Sequence, residues 1–133
     1  MNKNRITPSN IFVLGKDEIF VFGSNLAGRH GKGAALTAAK RFGAIYGRGL
    51  GLHGDCYAIP TKDENMRTLD LLSISIWVES FIYFAKYKKD KTFLVTEIGC
   101  GLAGYKPEDI APLFKAAIKL DNIYLPKRFW NVL

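Results

Sequence analysis

Lys91-Thr92-Phe93-Leu94-Val95-Thr96-Glu97-Ile98 runs straight into Gly99-Cys100-Gly101-Leu102-Ala103-Gly104, and the join between the two decides the fold class. The first eight residues are apolar and β-branched enough for a buried strand. The next six read G-x-G-x-x-G, and beyond them Ile110, Leu113, Phe114, Ala117 and Ile118 recur at helical spacing. Strand, glycine turn and helix in that order form the unit from which parallel sheets are wound. Pro107 and Pro112 stand near the start of this helix, where a missing amide is tolerated, and predict a short first turn ahead of the main helix. Asn122-Ile123-Tyr124-Leu125 follows as a last strand.

Upstream the same alternation repeats. Leu71, Ile74, Val78, Phe81, Ile82 and Ala85 mark the longest helix, with Lys86, Lys88 and Lys89 near its end, where cations favour the helix dipole. Before it, Cys56-Tyr57-Ala58-Ile59-Pro60 reads as a strand that leaves through Thr61-Lys62-Asp63-Glu64. Residues 46–54 carry four glycines without periodicity and read as a surface loop. Earlier still, Ala34, Ala35, Ala38, Ala39 and Phe42 form a small-residue helix stripe closed by Gly43, suited to lying close against a sheet. Glu18-Ile19-Phe20-Val21-Phe22 is a strand buried on both faces, and Ile11-Phe12-Val13-Leu14 is its expected partner across a turn at Gly15-Lys16-Asp17. The fold class is therefore α/β, with a mainly parallel sheet, helices on both faces and one domain over residues 1–133.

Composition narrows the function classes. With 133 residues and 48% hydrophobic content, the chain can build one continuous core. Its start has no apolar signal region, and residues 69–85 are interrupted by Asp70, Ser73, Ser75, Glu79 and Ser80, so neither secretion nor a membrane partner is expected. Cys56 and Cys100 are too few for a disulfide scaffold or a structural zinc, which points to the reducing cytoplasm and to no metal. The net charge of +7 favours anionic partners.

Open parallel sheets bind ligands beyond the carboxyl ends of their strands, and three ends here carry chemistry. The first is residues 99–104, whose glycines let backbone amides approach a pyrophosphate while the following helix N-terminus adds positive potential. A Rossmann dinucleotide site is the competing reading of this loop. It requires an acidic ribose ligand at the end of the next strand, where Tyr124 and Leu125 stand instead. The second end is Gly23-Ser24-Asn25, leading into Gly28-Arg29-His30-Gly31-Lys32-Gly33. Asn25 there suits a ribose hydroxyl, and the amides of Gly31 and Gly33 suit phosphate. No Gly-Lys-Ser or Gly-Lys-Thr follows, so this is not a Walker loop. The third is Lys62, a nucleophile only if its surroundings lower its basicity, and otherwise an exposed loop lysine.

Taken together, these ends resemble the macrodomain family over roughly residues 17 to 120. The closest similarity is to the branch that removes ADP-ribose from protein carboxylates or DNA bases, through Gly31-Lys32-Gly33-Ala34-Ala35, Lys40-Arg41-Phe42-Gly43 and Ile98-Gly99-Cys100-Gly101-Leu102. The resemblance implies a three-layer α/β/α fold with a mixed, mainly parallel sheet and no bound cofactor. It implies that Asn25 faces the distal ribose, that Gly31, Lys32 and Gly33 line the ribose and phosphate channel, and that Gly99, Cys100, Gly101, Leu102, Ala103 and Gly104 hold the diphosphate. Lys62 falls where the branch has its catalytic lysine. The branch has an aspartate where this chain has Ala103, so Asp63, Glu64 or Glu97 would have to supply a carboxylate. No residue matches the acid that usually meets adenine, Asp17 included.

Two functions follow from the resemblance: an ADP-ribosyl glycohydrolase, or a noncatalytic reader or sequestering protein for ADP-ribose or ADP-ribosylated protein or nucleic acid. A third, of another class, is direct nucleic-acid binding by Lys86, Lys88, Lys89 and Lys91, or by Lys127 and Arg128 beside Phe129 and Trp130.

Overall fold

A strand with no polar face needs cover on both sides, and Glu18–Asn25 (β1) receives it at the middle of the sheet. In the computed structural model, which describes residues 4–133, β1 pairs in parallel with Cys56–Lys62 (β3) on one side and Thr92–Val95 (β4) on the other. Gly51–His53 (β2) runs antiparallel to β3, and Ile123–Tyr124 (β5) parallel to β4, giving the order β2-β3-β1-β4-β5. The architecture is thus α/β, a five-stranded mixed sheet with helices packed on it.

Alternate residues of β1 serve different cores. Ile19 and Val21 face Leu71–Lys86 (α2), the 3-10 helix Ala111–Lys119 and Lys127–Val132 (α4). Phe20 and Phe22 face Gly33–Arg41 (α1), whose Ala35 and Ala38 let the helix lie close. The Asp70 carboxylate caps α2 by accepting from the Ser73 amide at 2.8 Å. Among the described residues no helix is long and apolar enough to cross a membrane.

Three local expectations change. Residues 11–14 form no strand, because β1 already has a neighbour on each edge. Instead Ile11 and Leu14 pack on the α1-side core, leaving Phe12 and Val13 exposed. The glycine-rich stretch at 46–54 contains β2, made with the adjacent strand through the turn at Gly54 and Asp55. The short first turn expected after the glycine loop is Pro107–Ile110 (α3), and the main helix behind it is 3-10 where an α-helix was expected. With three residues per turn, Ala111, Phe114 and Ala117 share the buried face, while Ile118 of the expected 3.6-residue stripe is turned outward. Residues 127–132 are helical, with Phe129 and Trp130 buried.

Candidate functional site

The carboxyl ends of β1 and β3 and the segment leaving β4 open onto one cleft of about 580 Å³. Its walls bring together Asn25, Gly31, Lys32, Gly33, Lys62, Gly99, Gly101, Leu102 and Ala103, nine residues drawn from all three strand ends singled out in the sequence. Cys100 and Gly104 lie outside the lining. Cys100 packs against the core behind the loop, where burial first and the Glu97 carboxylate next push its thiol up to about 11. That is an inert thiol.

The glycine loop owes its shape to Gly99, at φ +77°, where a Cβ would stand 2.9 Å from Ile110 Cδ1. The amides of Cys100, Gly104 and Tyr105 are spent on the loop itself, donating to Glu97, Gly101 and Gly99 carbonyls. Those of Gly101, Leu102 and Ala103 donate to nothing among the described residues. The helix expected directly behind this loop does not begin there. Gly104, at φ +90°, closes a turn, the Tyr105 hydroxyl is tied to the Leu69 carbonyl at 2.7 Å, and α3 starts only at Pro107 with Glu108 and Asp109 in its first turn. Positive potential comes from another element, α1. Its first turn, carrying the amides of Gly33, Ala34 and Ala35, has no side-chain cap and no acid, and it lines the same cleft.

Asn25 is buried, and its carboxamide braces the loop behind it. Nδ2 donates to the Arg29 carbonyl at 2.8 Å, and Oδ1 accepts from the Arg29 amide at 2.9 Å. One N–H remains for a ligand. Lys62 ends β3 on the cleft wall, and its ammonium has no ion-pair partner among the described residues. A short hairpin follows it, in which Asp63 Oδ1 accepts from the Asn65 and Arg67 amides and Thr68 Oγ1 donates to the Ala103 carbonyl at 3.1 Å. Asp63 is therefore the keystone of a turn, and Glu64 lies exposed on it.

Glu97 lies on the cleft wall, and its partner is Arg128. Arg128 Nε and Nη2 grip its two oxygens at 2.8 and 2.6 Å, and those hydrogen bonds hold the carboxyl below its usual range. It is a carboxylate at neutral pH, unsuited to act as a general acid. Asp17 is at the other end of the sheet, paired with Lys91 at 3.1 Å, and cannot reach the cleft.

Beyond Ala34, Thr96 and Glu97, which line both, a second cavity of about 830 Å³ adjoins the cleft. Its walls come from residues 6–12, Phe20, Thr37 and Arg41, and residues 126–128. Sequence reasoning missed it because its lining comes from both ends of the chain, with no local motif. It also gave no role to Thr61, at the exit from β3, or to Thr96, which stood inside the expected strand and carried no signal. Of the two basic surfaces, the one at 127–128 has lost its aromatic partners to the core, and the lysines at 86–91 lie at the amino ends of the strands, away from the cleft. Among the described residues no three His, Cys, Asp or Glu side chains gather as metal ligands. The chain matches no protein-family model, no curated protein and no solved structure.

Proposed function

We propose that this chain is a macrodomain-like protein that binds ADP-ribose, or a related NAD-derived nucleotide, in the cleft at the strand carboxyl ends. The observation that carries the reading is the pair of open amide sets, Gly101 to Ala103 on one loop and Gly33 to Ala35 on the first turn of α1, lining one cleft. Unspent backbone donors lining one cleft with an uncapped helix start suit a diphosphate. The adjoining cavity, with Phe12 and Phe20 in its walls and Ala34, Thr96 and Glu97 shared with the cleft, gives a nucleoside half room. The three-layer, macrodomain-type arrangement belongs to the same proposal.

Binding without turnover is the better-supported half. Hydrolysis would use Lys62 at the anomeric carbon of the distal ribose, with a carboxylate beside it. Ala103 supplies none, Asp63 is engaged in a turn and Glu97 is held by Arg128. Calorimetric titration with ADP-ribose is expected to show one-to-one binding, lost in Gly101→Glu, which puts bulk and negative charge into the cradle. Absence of binding to the unaltered chain would refute the reading. Incubation with ADP-ribosylated protein or DNA separates enzyme from reader: release that Lys62→Ala abolishes marks an enzyme.

A further inference from the structure

Two histidines sit just behind the cleft wall, one in the 26–31 loop and one at the end of β2, each only 4% exposed. Their rings stack with centroids 6.0 Å apart, and the Phe22 ring meets both edge-on. Between them they hold both backbone groups of Ile45. His30 Nε2 donates to the Ile45 carbonyl at 3.0 Å, and the Ile45 amide donates to His53 Nδ1 at 2.9 Å.

These partners dictate the protonation state. A carbonyl can only accept, so His30 carries its proton on Nε2; an amide can only donate, so His53 Nδ1 is bare. His30 Nδ1 and His53 Nε2 are buried with no hydrogen-bond partner among the described residues. The arrangement works only while His53 is neutral.

The loop so held, residues 43–50, packs against the cleft wall from behind. The Gly47 amide donates to the Gly28 carbonyl at 2.9 Å, and Ser24 Oγ donates to the Gly49 carbonyl. Gly49 approaches so closely that a Cβ there would stand 1.9 Å from the Asn25 carbonyl oxygen. Asn25, Arg29 and Gly31 of the contacted segment line the cleft.

We propose that His30 and His53 form a pH-sensitive latch: protonation of His53 releases residues 43–50 from the 26–31 loop and loosens the cleft. A proton on Nδ1 would set one donor against another at Ile45, and the charge would have no relief nearby. Of the charged groups on the surrounding elements, Arg48 repels it. Arg29 and, on the end of α1, Lys40 and Arg41 share its sign. Asp55, on the turn into β3, makes no ion pair with either ring.

Burial, then His30, then Arg48 lower the His53 pKa from 6.5. A histidine lowered on latching favours the latched state fully above pH 6.5. That preference falls as pH drops through 6.5 towards the lowered value, by up to about tenfold in the opening constant per pH unit. The consequence for ligand rests on the nucleotide reading above; the latch itself does not.

Amide hydrogen exchange on the ligand-free chain tests it. Between pH 6.5 and 5.5 the protection factors of Ile45 and Gly47 are expected to fall by up to about tenfold, while that of the core amide of Phe93 holds. In His53→Asn, which keeps an acceptor but cannot take up the proton, protection should be independent of pH. ADP-ribose affinity should weaken in the same window for the unaltered chain and not for His53→Asn. Unchanged protection at Ile45 and Gly47, or equal loss at Phe93, overturns the latch. If His53→Asn does not fold, exchange in the unaltered chain decides alone. A pH-dependent latch in a chain that binds no ADP-ribose at any pH would keep this inference and remove the nucleotide reading.

Discussion

The two faces of the sheet are held by different forces. On the α2 side, Phe81 meets the rings of Tyr57, Phe93 and Phe114 edge-on, and Phe114 in turn packs on Phe129. On the α1 side a nine-residue helix contributes two buried alanines, and the loops beyond it are tied by individual polar contacts: Asn25 to Arg29, Ser24 to Gly49, and the histidines to Ile45. Apolar burial is non-directional and hard to open locally, whereas a few hydrogen bonds can be released one region at a time. The thick face stabilises the sheet. The thin face leaves its strand ends open as a cleft.

The contrast can be broken at either face. Phe81→Ala should cost about 3–5 kcal/mol in chemical denaturation, because its cavity lies among packed rings, and should leave ADP-ribose affinity unchanged while the chain is folded. On the thin face, addition rather than removal is harmful. Ala38→Leu, at a fully buried position, should cost about 1–3 kcal/mol and also weaken ADP-ribose binding by lifting α1 from the sheet. If the two substitutions affected affinity alike, the division of labour between the faces would be wrong.

A smaller effect sharpens it. Asn25→Ala removes both contacts to Arg29 and should cost about 1–3 kcal/mol by leaving the Arg29 amide and carbonyl unpaired. Its loss in affinity should exceed its loss in global stability. Smallest is Arg128→Ala, whose partner is more than a third exposed. Because Arg128 lowers the Glu97 pKa, the pair stabilises the fold above the ordinary Glu range, and that contribution is lost as pH falls through the lowered value. Melting temperatures of the two chains should therefore differ slightly at pH 7 and converge in acid.

On the thick face the α2 stripe and the β1 run were legible because their signals are local, whereas the run at 91–98 is a strand only over Thr92–Val95, the main helix after the glycine loop is 3-10, and α4 had no sequence signal. Composition at the three strand ends picked out nine residues that the fold brings to one cleft. On the thin face only the α1 stripe was legible, Ala35, Ala38 and Phe42 being buried as their spacing implied; the loops beyond it were not. Whether residues 11–14 pair depends on β1 having a free edge, which only β3 and β4 decide. His30 and His53 are 23 residues apart with no shared motif, and β2 is three residues long within a glycine-rich stretch. Glu97 found Arg128 because α4 folds back over the strand end, a partnership that no spacing rule encodes.

An amide chemical-shift titration with ADP-ribose tests the central claim most directly, since it reads the proposed donors one by one. Saturable shifts at Gly101, Leu102 and Ala103 together with Gly33, Ala34 and Ala35, followed by Thr37 and residues 9–12 of the adjoining cavity, are the predicted result. Shifts confined to the lysine-rich end at residues 86–91, or no shifts at all, would contradict it.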